Sequence, residues 1–289
     1  MASGPAEKQE STSAATCWCG GALGPSPHPA YFSCLRCGTQ VAQEILSTEG
    51  LQDHYHLDAY WHDRARQLNL PPIEVRARQD FGDRIPVWYR ILRRYQPTCQ
   101  SVLEIGCSHG GFLAYCRSHG IAEVVGVEVS PETCAFARER FDLPHVQPGF
   151  FPAVDLPRWS YDVIAAFDLF EHLSTPLATA QAMLGALAPG GALLLQLPCY
   201  RGEGVDWPMF LPGDHLYLYT AGAIREILAR AGFEVTAITK AIFWYDQFVV
   251  ARRAGEVTPG QRWRDRLMAF LPHRRKTTRA ERHAVREPR

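Results

Sequence analysis

The run Val102-Leu103-Glu104-Ile105-Gly106-Cys107-Ser108-His109-Gly110-Gly111-Phe112 constrains this chain more than any other segment. Its apolar start reads as a strand, its glycines as a tight turn, and the residues after them as the start of a helix. Glycines at such a turn let a ligand approach the backbone and let the helix start pack on the strand. The next strand, Glu123–Glu128, ends in an acid 22 residues after Gly106, and Ser130-Pro131 then opens a helix. A carboxylate at that place can accept both ribose hydroxyls of a nucleoside lying across the strand ends.

The pattern around this segment is alternation. Further strands are expected at Tyr161–Ala166, Ala192–Gln196, Glu234–Thr239 and Phe243–Arg252, with a short one at His145–Gln147. Helices are expected at Gly111–Ser118, Pro131–Phe141, Leu177–Leu187 and Ala221–Ala231. The early strands are near-continuous apolar runs, as strands buried on both faces require. Strand–helix alternation implies a parallel α/β sheet covered on both sides. Two closing strands with a short link imply an antiparallel hairpin at the sheet edge.

Residues 49–98 read as a helical linker or cap, with Ile85, Trp88, Leu92 and Tyr95 at helical spacing. Pro71-Pro72 separates an earlier helix at residues 57–69, and Tyr55, Tyr60 and Trp61 are candidates for an aromatic lid. Residues 1–16 are polar and small, a disordered leader without the apolar core of a secretory signal. The formal charge is zero, but residues 252–289 hold twelve Arg/Lys and four Asp/Glu. The basic character therefore belongs to a tail, residues 253–289, suited to an anionic surface, nucleic acid or a partner enzyme.

Four of the nine cysteines crowd into residues 17–48. Cys17-x-Cys19 and Cys34-x-x-Cys37 supply four thiolates, the number that closes a tetrahedral structural zinc site. The first gap is tighter than usual, and His28 is an alternative ligand. An odd cysteine count with no paired framework suits a reduced, cytoplasmic protein.

Two nucleoside ligands fit the glycine turn: a dinucleotide or S-adenosylmethionine. The dinucleotide fingerprint wants glycine where Ser108 stands. The chain has three lysines (Lys8, Lys240 and Lys276), none with a Tyr four positions before it, which disfavours the Tyr/Lys class of dehydrogenase.

The run Glu104-x-Gly106-x-x-x-Gly110 resembles the first motif of class I S-adenosylmethionine-dependent methyltransferases. The resemblance continues in order over residues 99–252. Glu128 stands where that family places its ribose acid, and Tyr161-Asp162-Val163-Ile164 looks like its fourth strand. Glu171-His172-Leu173 is similar to a segment of small-molecule methyltransferases, including ubiquinone-pathway O-methyltransferases. Leu187-Ala188-Pro189-Gly190-Gly191, Asp214-His215-Leu216 and Ala231-Gly232-Phe233 match later segments. A bacterial subgroup carries two Cys pairs and a Tyr-rich stretch before this fold.

The resemblance implies a Rossmann-like seven-stranded methyltransferase sheet with helices on both faces, plus a small zinc-ribbon-like lobe. It implies S-adenosylmethionine as cofactor, held by Glu104, Gly106, Cys107, Ser108, Gly110, Glu128, Val129, Phe150, Phe151, Phe167 and Asp168. Gly149-Phe150-Phe151 stands where many members have an acid that contacts adenine. The implied reaction is O- or C-methylation of a sugar, natural-product or lipid-linked acceptor. His172 and His215 are the candidate proton acceptors, since neutral His suits that role near pH 7. Two other readings stay open: an RNA methyltransferase with a zinc lobe, and a non-catalytic binding protein on the same scaffold.

Overall fold

The computed structural model describes residues 11–14, 16–46, 71–154, 156 and 161–256. The expected helix at 57–69, the aromatic trio Tyr55, Tyr60 and Trp61, and the basic tail after Glu256 lie outside them.

The N-terminal part is built from short strands: β1 (Ser11–Ser13), β2 (Leu23–Pro25), β3 (Tyr31–Cys34), β4 (Gln40–Ala42) and β5 (Glu44–Leu46). Two helices come next, α1 (Ile73–Gly82) and α2 (Arg84–Tyr95). The alternating region then gives β6 (Ser101–Ile105), α3 (Gly111–Ser118), β7 (Glu123–Glu128), α4 (Pro131–Phe141), β8 (Val146–Pro148) and β9 (Tyr161–Phe167). It ends with a 3-10 turn (Phe170–His172), α5 (Pro176–Ala186), β10 (Leu187–Pro198), β11 (Tyr217–Leu218), α6 (Ala221–Arg230), β12 (Phe233–Lys240) and β13 (Asp246–Arg253).

The main sheet has seven strands in the order β12-β13-β10-β9-β6-β7-β8. All neighbours are parallel except at β13, which runs antiparallel to both β10 and β12. The closing hairpin is thus present, with β13 slotted inside and β12 at the edge. Its second strand starts at Asp246, not at Phe243, because Phe243 and Trp244 are exposed in the link.

Side-chain alternation along the strands builds two cores, one per face. Leu103, Ile105, Ile164, Ala166, Leu193, Leu195 and Val249 face α5 and α6, where Met183, Ile224 and Ile227 meet them. Val102, Val163, Ala165, Leu194, Phe248 and Val250 face the other way, onto Ile85, Trp88 and Leu92 of α2 and Phe112 and Leu113 of α3. Residues with no exposed face in the sequence pattern are those buried by both layers.

Caps fix the helix starts. Ser130 Oγ accepts from the Thr133 amide at 3.1 Å and Pro131 takes the first helical position. Thr220 Oγ1 accepts from the Ala223 amide at 3.0 Å. The chain runs outward from β6 to β7 and β8, then crosses back to β9. Ligands of such sheets bind at the carboxyl ends of the strands where the order reverses, here beside β6.

The short strands around the cysteines do not close on their own sequence. β2, β3 and β4 form a sheet whose fourth strand is β11, with Tyr217 opposite Val41 and Leu218 opposite Gln40.

Candidate active site

A cavity of about 430 Å³ lies where β6, β7 and β9 end. Ten of the eleven expected cofactor residues line it: Glu104, Gly106, Cys107, Ser108, Glu128, Val129, Phe150, Phe151, Phe167 and Asp168. Gly110 does not line it. At φ +75°, a Cβ there would stand 2.8 Å from Leu143 Cδ1 and 2.9 Å from Ala137 Cβ, so this glycine serves the packing of α3 on α4.

Glu128 is buried and already half-engaged. Its Oε2 accepts from the Ser108 amide at 2.9 Å and its Oε1 from the Ser130 amide at 3.1 Å. Each carboxylate oxygen keeps a lone-pair site for a further donor. Burial pushes Glu128 above its ordinary range, and the backbone amides pull against that shift. Ser108 sits at φ +46°, in the left-handed region that glycine enters freely. The charge-assisted bond from its amide to Glu128 compensates the strain of a serine there.

Glu104 is the orphan of the cavity wall. It is buried, and its Oε2 has no partner among the described residues. Burial first, then the neighbouring Glu128, push it well above the usual carboxylate range. A buried polar atom without a partner costs free energy that a bound donor would recover.

Sequence reasoning missed the wall that α1 and α2 contribute. Arg76, Asp80, Arg84 and Trp88 all line the cavity. Arg84 donates to Asp80 Oδ1 at 2.8 Å and to Asp168 Oδ2 at 3.0 Å. Asp80 Oδ2 meets His109 Nε2 at 2.9 Å, while His109 Nδ1 accepts from the Gly111 amide at 3.0 Å. Burial would raise Asp80, but the His109 and Arg84 hydrogen bonds outweigh it and hold the carboxyl at about 2. Trp88 stacks on Phe167 with centroids 4.2 Å apart and donates to Gln196 Oε1 at 2.9 Å. Gln196 in turn donates to Asp168 Oδ1 at 2.9 Å and to Asp246 Oδ2 at 3.1 Å. The i,i+4 pair Asp80/Arg84 was the one available signal in the sequence, and it reads equally well as a solvated helix face.

His172 and His215 come together at the far side of the cavity, with ring centroids 4.9 Å apart. Each Nδ1 faces a backbone carbonyl at 2.8 Å, Asp214 O for His172 and Met209 O for His215. A carbonyl can only accept, so each neutral ring is the Nδ1–H tautomer with its lone pair on Nε2. Glu171 lies beside them, buried, with Oε2 unpartnered among the described residues. Burial and then Asp168 raise its carboxyl well above the ordinary value.

The four expected metal ligands also converge, away from this cavity. Their sulfurs lie within 4.8 Å of one another. Cys17 Sγ is 3.7 Å from Cys37 Sγ, and Cys19 Sγ is 3.5 Å from Cys34 Sγ. Backbone amides of Gly21 and Cys37 point at the sulfurs of Cys19 and Cys34. The short Cys17-x-Cys19 gap is accommodated by pairing each of its cysteines across to the other half. Hydrogen bonding from Cys17 draws Cys37 down to about 5.

The sheet order, the glycine turn and the acid after it define a nucleoside-binding protein with the Rossmann-like methyltransferase fold. Residues 60–238 match the family described as a methyltransferase domain, and the chain belongs to that family. Among solved structures it is similar to the sugar N-methyltransferase KedS8 from Streptoalloteichus (TM-score 0.53, 20% identity, 60% of this chain and 88% of that one). It is also similar to DesVI from Streptomyces venezuelae (TM-score 0.52, 16% identity, 61% and 92%). Among curated proteins it is 30% identical over 156 residues to one named as a probable S-adenosylmethionine-dependent methyltransferase from Mycolicibacterium smegmatis, covering 51% of this chain and 60% of that one. It is 25% identical over 150 residues to a ubiquinone biosynthesis O-methyltransferase of Aliivibrio fischeri, covering 44% and 62%. The chain thus spans less than two thirds of the length of these curated relatives.

Proposed function

We propose that this protein transfers a methyl group from S-adenosylmethionine to a small-molecule acceptor, with an O- or C-nucleophile on a sugar, natural-product or lipid-linked intermediate. The single observation carrying the cofactor assignment is Glu128, buried at the end of β7 and braced by two amides of the glycine turn and helix start. The unpartnered Glu104 oxygen in the same cavity wall fits a ligand that brings donors. Glu128 would hold the ribose, Gly106 and Ser108 would take the backbone approach, and Phe150 and Phe151 would flank the adenine.

When bound, S-adenosylmethionine supplies a methyl group already activated on a sulfonium, so the protein mainly positions the reactants. The two histidines carry the remaining chemistry. The Nε2 lone pair of one of them would accept the single proton that the acceptor hydroxyl or carbon loses as it attacks, making that ring an imidazolium. Backbone anchoring of both Nδ1 atoms fixes tautomer and ring orientation before the acceptor arrives. The four cysteines would hold a structural zinc ion. Tetrahedral sulfurs at roughly 2.3 Å from zinc stand roughly 3.8 Å apart, close to the two separations observed. A closed set of four thiolates leaves zinc no open position for catalysis.

The test is calorimetric titration with S-adenosylhomocysteine, with NAD(H) as control. Micromolar binding of the nucleoside is expected. Glu128→Ala should weaken it by about 2–3 kcal/mol, roughly 30- to 150-fold, the loss of charge-assisted bonds. No binding by folded wild-type protein would overturn the reading.

A further inference from the structure

His215 owes its place to the cysteine lobe. The loop that carries it is held from two sides. On one side, the Leu216 amide donates to Glu171 O at 2.8 Å, in the turn that also carries His172. On the other side stands the lobe. The Ala42 amide donates to Leu216 O at 2.9 Å, and β4 pairs with β11 directly afterwards. Tyr31, 1% exposed and opposite Ala42 in register, donates its hydroxyl to the carbonyl of His215 itself at 2.8 Å. Its ring packs 5.0 Å from Phe210, which also stacks on His28 at 4.9 Å. Phe210 comes directly after Met209, whose carbonyl anchors His215 Nδ1.

Two carbonyls therefore fix this histidine, one its own and one its side chain's partner. Tyr31 engages the first and packs against the residue next to the second. Among the described residues, none from β2, β3 or β4 lines the cavity, and this loop carries the lobe's hydrogen bonds to His215 and Leu216.

We propose that Tyr31 is a positioning residue for the acceptor side of the site: it sets where His215 presents its basic nitrogen, while leaving cofactor binding alone. The inference rests on the reading of His215 as a proton acceptor, and it assigns the cysteine lobe a share in the active site beyond its own stability. Gly106, Ser108 and Glu128 of the cofactor half hang from the ends of β6 and β7, which β9 separates from β10 in the sheet order.

The experiment compares full-length wild type, Tyr31→Phe and the control Tyr89→Phe, which removes a hydroxyl that donates to His119 O at 3.3 Å and accepts from Arg93 Nε at 2.7 Å, away from the cysteine lobe. Histidine-selective ¹⁵N labelling, with His215→Asn to assign the resonance, reads the ring's tautomer across a pH titration. Amide exchange at Leu216 reads the loop, and S-adenosylhomocysteine calorimetry reads the cofactor half. In Tyr31→Phe the His215 resonances should move toward an averaged tautomer pattern, and Leu216 exchange should rise about tenfold, the value of one hydrogen bond. His109 resonances and cofactor affinity should stay within about twofold of wild type, since those groups share no partner with Tyr31. Unchanged His215 resonances would overturn the proposal. So would a general response in which His109 moves with His215, because Tyr31 would then serve only the fold. Absent cofactor binding by wild type would sink the methyl-transfer reading and leave the His215 measurement standing on its own.

Discussion

Gly110 and Gly120 have nearly the same backbone conformation, φ +75° and +86°, and very different surroundings. An alanine at Gly120 would meet nothing within 4 Å. It suffers the left-handed conformation alone, about 1–2 kcal/mol, partly offset by about 0.4–1 kcal/mol from the stiffer unfolded chain. The expected net loss is about 1 kcal/mol. An alanine at Gly110 carries the same conformational term and adds contacts of 2.8 and 2.9 Å with Leu143 and Ala137. Leu143 is a flexible side chain and can turn aside. Ala137 belongs to α4 and can retreat only if the helix moves. Overpacking of that kind costs about 1–3 kcal/mol, so Gly110→Ala should lose about 3 kcal/mol in all. Urea unfolding of both variants beside wild type measures the difference directly. Equal losses at the two positions would refute the reasoning, because contact with α4 would then contribute nothing.

Asp246 is 2% exposed, and burial, then the nearby Asp168, push its carboxyl up to about 7. The folded state therefore binds this proton more tightly than the unfolded chain does, and stability should fall as pH rises from about 4 to about 7. Asp246→Asn keeps an acceptor for Gln196 and should flatten that slope, adding up to about 4 kcal/mol at pH 8 relative to wild type; a slope unchanged in denaturation curves at pH 5 and pH 8 would assign it elsewhere. Metal analysis of purified protein should find one zinc per chain, and Cys34→Ser should lower that content and open the lobe to proteolysis. Zinc-free wild-type protein with a protease-resistant lobe would count against the metal assignment.

The alternation of strand and helix, the glycine turn and Glu128 were legible because each is a local pattern with a fixed period or spacing. The cofactor side of the cavity derives from them, since β6 and β7 place their own carboxyl-terminal residues. The α1–α2 wall was not legible in the same way. Arg84 and Trp88 reach the cavity only because α2 packs along the sheet face with its first turns at the carboxyl ends of β9 and β10, a tertiary choice that Ile85, Trp88 and Leu92 at helical spacing do not reveal. The convergence of His172 with His215 depended on a loop 42 residues further along returning to the 3-10 turn. Ser108 shows a local rule overridden: a residue that avoids positive φ adopts it because Glu128 takes its amide. Nor did the cysteine spacing disclose that the lobe borrows a strand from residues 217–218, since two-residue strands leave no periodic trace.

That borrowed strand ties a segment made early to one made long after it. Tyr31 and its partner His215 are 184 residues apart. At about 5–20 residues per second, a ribosome needs roughly 10–40 s to travel between them. During that interval the sheet of β2, β3 and β4 has an open edge and the thiols lack the cover of Tyr217 and Tyr219, which share a core with Cys17, Cys19 and Cys34. Metal capture by the nascent cysteines, before the closing strand emerges, would be the step that protects them from oxidation on the way to the finished fold.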